Sequence, residues 1–179
     1  RIRNDAFVHQ GFTLQQPTRL RIYAVGEGIT SRRMADYGWI INARTREKVW
    51  SMEYDLTEHA GGAAKNRMFE GFITLPAGSY IAYYRTDGSH AYRKWNSTPP
   101  YDPDGWGMTI WSSGRVLKTV PKTPHVKEHY NPDVMAQIIR VKDGEKVKEK
   151  FHLSHRTQLN IYAIGEGRRS GMDDYGWIE

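Results

Sequence analysis

The sequence predicts an all-β protein, an antiparallel sandwich of jelly-roll type, on three observations. Leu20, Ile22 and Ala24 alternate with Arg19 and Arg21, the period of a strand with one buried face. Short apolar stretches are broken by Gly, Pro, Asn and Asp at a spacing of roughly 8–14 residues, as in sandwiches. No segment carries the apolar period of a long helix, and the adjacent Gly61 and Gly62 interrupt the one polar stretch that comes near it.

The same strand occurs twice. The run Phe12 to Gly28 returns 139 residues later as Phe151 to Gly167, and Asp36-Tyr37-Gly38-Trp39-Ile40 returns 138 residues later as Asp174-Tyr175-Gly176-Trp177-Ile178. A match this long makes the chain a tandem of one domain type. Leu20, Ile22 and Ala24 recur as Leu159, Ile161 and Ala163, whereas Arg19 and Arg21 become Gln158 and Asn160. Tyr23 and Tyr162 have the parity of the exposed face yet do not change. Either the ring covers the sandwich edge or pairs across strands, or it faces a ligand. Trp39, which repeats as Trp177 within a strand, is read as core together with Trp50 and Trp111.

Residues 1–111 are expected to form one nearly complete copy whose first strand is cut short, since Ile2-Arg3-Asn4-Asp5 resembles the hairpin at Val141-Lys142-Asp143-Gly144. Strands are expected at Thr18 to Val25, Tyr37 to Asn42, Lys48 to Tyr54, Met68 to Leu75, Tyr80 to Tyr84 and Trp106 to Trp111. A polar loop is expected at Gly26 to Ala35. Residues 55–67 read as a structured loop with at most one helical turn, Pro76-Ala77-Gly78 as a tight turn, and residues 90–105 as a long polar loop. Residues 112–133 contain three prolines and no apolar period, and read as an extended linker. Residues 134–179 supply the N-terminal part of a second copy.

At 179 residues with 39% hydrophobic and 12% aromatic content, the chain has enough apolar surface for a core. No apolar run approaches the roughly 20 residues of a membrane span. The absence of cysteine excludes disulfides, thiol catalysis and cysteine-ligated zinc within these residues. A net charge of +6 favours acidic partners, but its scatter along the chain does not point to nucleic acid. The chain opens Arg1-Ile2-Arg3, which reads as a mature or excised fragment from which any export signal is missing.

The run Phe69-Glu70-Gly71-Phe72-Ile73-Thr74-Leu75-Pro76-Ala77-Gly78-Ser79-Tyr80-Ile81-Ala82-Tyr83-Tyr84 resembles the strand–turn–strand step of bacterial pre-peptidase C-terminal domains, and is similar to Golgi-dynamics (GOLD-like) sandwiches. The resemblance implies a jelly-roll-like module that accompanies other domains in extracellular or cell-envelope proteins, without catalysis of its own. The block Asp36-Tyr37-Gly38-Trp39 departs from the family pattern, and no site residue is carried over.

Two loops collect the reactive side chains: Glu58, His59, Lys65, Asn66 and Arg67 in one, and Asp87, Ser89, His90, Arg93, Trp95 and Asn96 in the other. Loops at one end of a sandwich are where binding sites are built. A His–carboxylate pair could act as a base, two histidines with a carboxylate could hold zinc or iron, and Ser89 beside His90 could be a nucleophile. None has the spacing of a recognised motif, and no catalytic residue is assigned. Trp95, Tyr101, Arg93, His90, Asp87 and His59 are the candidate ligand-binding residues, Trp95 being the tryptophan expected to be available to a ligand. Asp102 and Asp104 with Asp87 could offer oxygens to calcium, against the alternative of carboxylates capping an Asp-Pro turn. The expected function is a binding module for glycan or protein partners. Self-assembly through open strand edges into a homo-oligomer or filament, and a metal- or histidine-dependent hydrolase using the loops at 55–67 and 87–106, are the alternatives.

Overall fold

A computed structural model describes residues 2–112, 115–116 and 134–179. The chain divides into two units, residues 1–129 and 130–179. The first is an all-β sandwich of two antiparallel sheets. Its strands are β1 (Phe7–Leu14), β2 (Thr18–Ile29), β3 (Arg33–Met34), β4 (Tyr37–Asn42), β5 (Lys48–Ser51), β6 (Glu58–His59), β7 (Asn66–Leu75), β8 (Gly78–Arg85), β9 (Gly107–Ser112) and β10 (Arg115–Val116). One sheet has the order β1-β8-β4-β5 and the other β10-β9-β2-β7-β6, with β3 attached to β2.

Alternation within the strands builds the core. Leu20, Ile22 and Ala24 point inward from β2 and are fully buried. In register beside them are Ile73, Gly71 and Phe69 of β7, with Ile110 and Met108 of β9 on the other side. The facing sheet contributes Leu14, Ile40 and Tyr80, and Met52 closes the cluster. Full burial of a side chain such as Leu20, Ile22 or Ile40 contributes about 1.5–3 kcal/mol.

The strand expected at Thr18 to Val25 continues through Ile29, and the loop expected at 26–35 is instead the β2–β3 hairpin. Gly28 lies opposite Met34 and Ile29 opposite Arg33. Ala35 N–H and Asp36 N–H both donate to the Glu27 carbonyl, so two residues oppose one, which is the arrangement of a β-bulge. The 112–133 stretch read as linker begins too early, because Arg115 and Val116 pair with Ser112 and Trp111. The rest of that stretch, residues 113–114 and 117–133, lies outside the described residues.

In the second unit the described pairing is one small hairpin, β11 (Gly167–Arg168) with β12 (Gly171–Met172). It reproduces the β2–β3 hairpin pair for pair: Gly167 opposes Met172 as Gly28 opposes Met34. Asp173 and Asp174 N–H groups both donate to the Glu166 carbonyl, so the bulge recurs as well. The residue lost between the two blocks is taken from the turn. Asp5 and Gly144, which the duplication aligns, both have positive φ, 57° and 72°. The strand expected around Leu159, Ile161 and Ala163 does not form, and Ile161 is 73% exposed. In the first unit this segment is held by β7 and β9 on its two sides, and residues 134–179 contain no counterpart of either. A hairpin closes through local bonds, whereas a central strand needs neighbours.

Candidate functional site

The two reactive loops meet, but as a scaffold. Gly61 and Gly62 take positive φ values of 82° and 66°, and a Cβ on Gly62 would overlap the Pro99 carbonyl. This close approach brings the 61–66 loop against residues 98–99. Asn66 fastens the two loops: its Nδ2 donates to the carbonyls of Gly61 at 2.7 Å and Thr98 at 3.0 Å. With the amide so oriented, Oδ1 faces His90 Nε2 at 2.7 Å, which makes that ring nitrogen the protonated one. The other ring nitrogen, Nδ1, meets Asn96 at 2.9 Å, and Lys65 Nζ donates to the same Asn96 oxygen at 2.6 Å. His90 is fully buried, edge-on to Trp95 and Trp106. Burial, followed by the Lys65 charge, pushes its pKa down.

This placement changes the roles read from sequence. His90 is fully buried with an amide oxygen against each ring nitrogen, which leaves it no open path to a substrate or metal. Trp95 is half-buried in a three-ring cluster with His90 and Trp106. His59 is exposed and turns Nε2 to the Ala63 carbonyl of its own loop at 3.1 Å. Arg93 is exposed with its guanidinium over Tyr92. Tyr101, 89% exposed, lies over Gly61, where a side chain would collide with its ring.

The proposed calcium set of Asp87, Asp102 and Asp104 is not assembled. Asp102 accepts the Gly105 N–H at 3.1 Å and caps the short helical turn Pro103–Gly105. It also accepts the Tyr23 hydroxyl at 3.0 Å. Burial and this carboxylate together push the Tyr23 pKa up to about 12. Tyr23 thus pairs across the outer face with a loop carboxylate.

Among the described residues, the acidic groups that converge are Glu27, Asp36 and Asp87, one oxygen of each within 4.8 Å of the others. The β2–β3 bulge aligns the first two, and Asp87 N–H donates to Asp36 Oδ1 at 2.8 Å. Asp87 Oδ1 accepts the Ser89 N–H at 2.8 Å. Lys65 Nζ lies 2.9 Å from Glu27 Oε1. Glu27 and Asp36 are 5% and 0% exposed, yet Glu27 Oε2, Asp36 Oδ2 and the Trp106 indole nitrogen complete no hydrogen bond of good geometry. No residue spacing announces this cluster, because neither Glu27 nor Asp36 sits in a recognised ligand motif. The available signal was that both recur, as Glu166 and Asp174.

Burial, then the neighbouring Asp87 and Glu27 charges, push the Asp36 carboxyl up to about 8, against the Asp87 backbone N–H and the Trp106 indole, which favour the charged form. Glu27 is raised by burial and lowered by Lys65, with a net rise. Beneath them Tyr84, donating to the Val25 carbonyl at 2.5 Å, is raised well above its ordinary value by burial. An acid whose folded pKa lies above its unfolded value stabilises the fold at low pH, and the contribution fades as pH rises through the folded pKa. Asp36 therefore gives full stabilisation below about pH 4 and loses it by about pH 8. In metal-free buffer, urea midpoints should fall across that window in the parent chain, and less so in Asp36→Asn. Parallel profiles would remove Asp36 as the cause.

A second surface is aromatic. On the outer face of the β1-β8-β4-β5 sheet, Trp39 stacks on Tyr83 with centroids 5.2 Å apart and planes 7° apart. Phe7, His9 and Tyr37 extend the row, and Phe7 is 63% exposed. Trp39 was read as core because it repeats, but its parity opposes that of the buried Gly38 and Ile40. Trp111 is likewise on an outer face, under the Arg21 guanidinium, whereas Trp50 does pack against the core, edge-on to Phe69. The tryptophan that is fully buried, Trp106, was expected to begin a strand. No helix among the described residues is long and apolar enough to cross a membrane. No family model, curated protein or solved structure matches this chain.

Proposed function

We propose that the first unit is a non-catalytic binding module that takes glycan on the outer face of its four-stranded sheet. One observation carries the reading: Phe7, His9, Tyr37, Trp39 and Tyr83 form a contiguous, partly exposed aromatic row. Sugar rings stack their C–H faces on such rings, and Arg85, close to Tyr37, adds donors for hydroxyl groups. The duplication supports it, because two residues of this row, Tyr37 and Trp39, recur as Tyr175 and Trp177. In the second unit that pair keeps its ring contact, at 5.7 Å against 5.3 Å in the first. Tyr37 also packs against the core cluster, but Trp39 on the outer face has no core-packing reason to persist, whereas a ligand-facing residue has. A place in a longer exported or envelope protein rests on the resemblance of residues 69–84.

Trp39→Ala should lower retention on a glycan panel by about tenfold or more, the effect of removing roughly 1.4 kcal/mol of stacking. Tyr83→Ala should do likewise, and Trp95→Ala should leave retention intact wherever the variant folds. Affinity electrophoresis with circular dichroism on each variant measures both. A parent chain that binds no glycan, or equal binding by Trp39→Ala, overturns the reading.

A further inference from the structure

We infer that Glu27, Asp36 and Asp87 form a binding site for a hard divalent cation of the calcium class, at the base of the β2–β3 hairpin. Clustering of acids alone would not carry this, since exposed acids often gather without an ion. These do not sit exposed. Glu27 and Asp36 are at least nine-tenths buried; Glu27 Oε2 has no partner, and Asp36 Oδ2, with the Trp106 indole acting on the same carboxyl, completes no hydrogen bond of good geometry. A buried polar oxygen left unpaired is costly, and it is satisfied at once by coordination to a cation.

Three further features fit. The donor set is all oxygen, which suits calcium, magnesium or manganese rather than softer metals. Three oxygens held by one ion at calcium–oxygen distances of roughly 2.3–2.6 Å lie up to about 4.5 Å apart, so a set already within 4.8 Å needs only a small inward shift for one ion to touch all three. Charge also balances: three carboxylates against Lys65, ion-paired with Glu27, leave two negative charges when fully ionised. The backbone frame is reproducible, because the bulge that aligns Glu27 with Asp36 recurs around Glu166 and Asp174. The competing arrangement is an acid cluster neutralised by protons alone.

Isothermal titration of the EDTA-dialysed full chain at pH 8 with calcium, magnesium or manganese chloride tests the site. At least one of the three should bind near one ion per chain and raise the melting temperature by roughly 5 °C or more at saturating concentration. Asp36→Asn keeps an oxygen for the Asp87 N–H, so it should stay folded in EDTA, with binding weakened tenfold or more and the thermal shift gone. Asp102→Asn should bind as the parent does. Absence of heat and thermal shift with all three salts overturns the inference in favour of protons. So does full binding by Asp36→Asn, or loss of binding in a folded Asp102→Asn.

Discussion

Asn66→Ala should destabilise the first unit by about 3 kcal/mol or more, a loss far beyond that of an ordinary polar-to-alanine change. The side chain is fully buried and makes three hydrogen bonds, to Gly61, Thr98 and His90. Truncation leaves the Gly61 carbonyl and the His90 N–H without partners, and it takes one of two donors from the Thr98 carbonyl, which keeps the Ala63 N–H. Each buried orphan costs about 1–3 kcal/mol. Asn66→Asp should not rescue: it restores the acceptor for His90 but none of the donors, and it adds a carboxylate near Glu27 and Asp87. Because His90 acts through the same amide, Asn66→Ala and His90→Ala should be strongly non-additive, with a coupling of about 1 kcal/mol or more in a double-mutant cycle. Urea denaturation at constant m-value measures this, and an Asn66→Ala loss below about 0.5 kcal/mol would show that the loops hold together by other means.

Asn66 also shows where sequence reasoning stops. The strand Thr18 to Ile29 was legible because its burial follows a period of two and because it occurs twice, so constant and variable positions separate by eye. The hairpin after it was hidden, since Gly26 to Ala35 is polar, and its pairing depends on backbone bonds that leave no hydrophobic trace. Asn66, His90 and Asn96 were seen as a polar group, and what they do, joining two loops through buried amides, follows from a contact between segments 24 residues apart. Trp39 was misplaced for an instructive reason. Persistence between copies was taken as a mark of the core, although parity with Gly38 and Ile40 already put it outside. The acidic cluster draws one member from β2, one from the end of its hairpin and one from beyond β8, so no local spacing could announce it. Asp87 was singled out, but with the wrong partners, because Asp102 and Asp104 are near it only in sequence.

Gly26→Ala should cost the first unit about 3 kcal/mol, at the upper end of overpacking effects, while Gly165→Ala should scarcely change the chain's unfolding. The two glycines are aligned by the duplication, and at each a Cβ would overlap the carbonyl oxygen of an aspartate, Asp36 or Asp174. What differs is what the aspartate can do in response. Asp36 is fixed from several sides: its carbonyl accepts the Glu27 N–H, its carboxylate accepts the Asp87 N–H, and the Tyr84 hydroxyl closes the remaining space 2.9 Å from the added carbon. Moving it opens the bulge, exposes Glu27 and Asp36, and withdraws the support under Trp106. Asp174 is exposed in a hairpin held by local bonds, which can open without disturbing a core. The same contrast appears at Gly38, crowded by Met108 and the Tyr83 carbonyl, and its counterpart Gly176, with open space around it. Thermal melts of Gly26→Ala and Gly165→Ala measure the difference directly. Equal losses would mean that the second hairpin is packed as tightly as the first, and that identical residues there carry an identical structural burden.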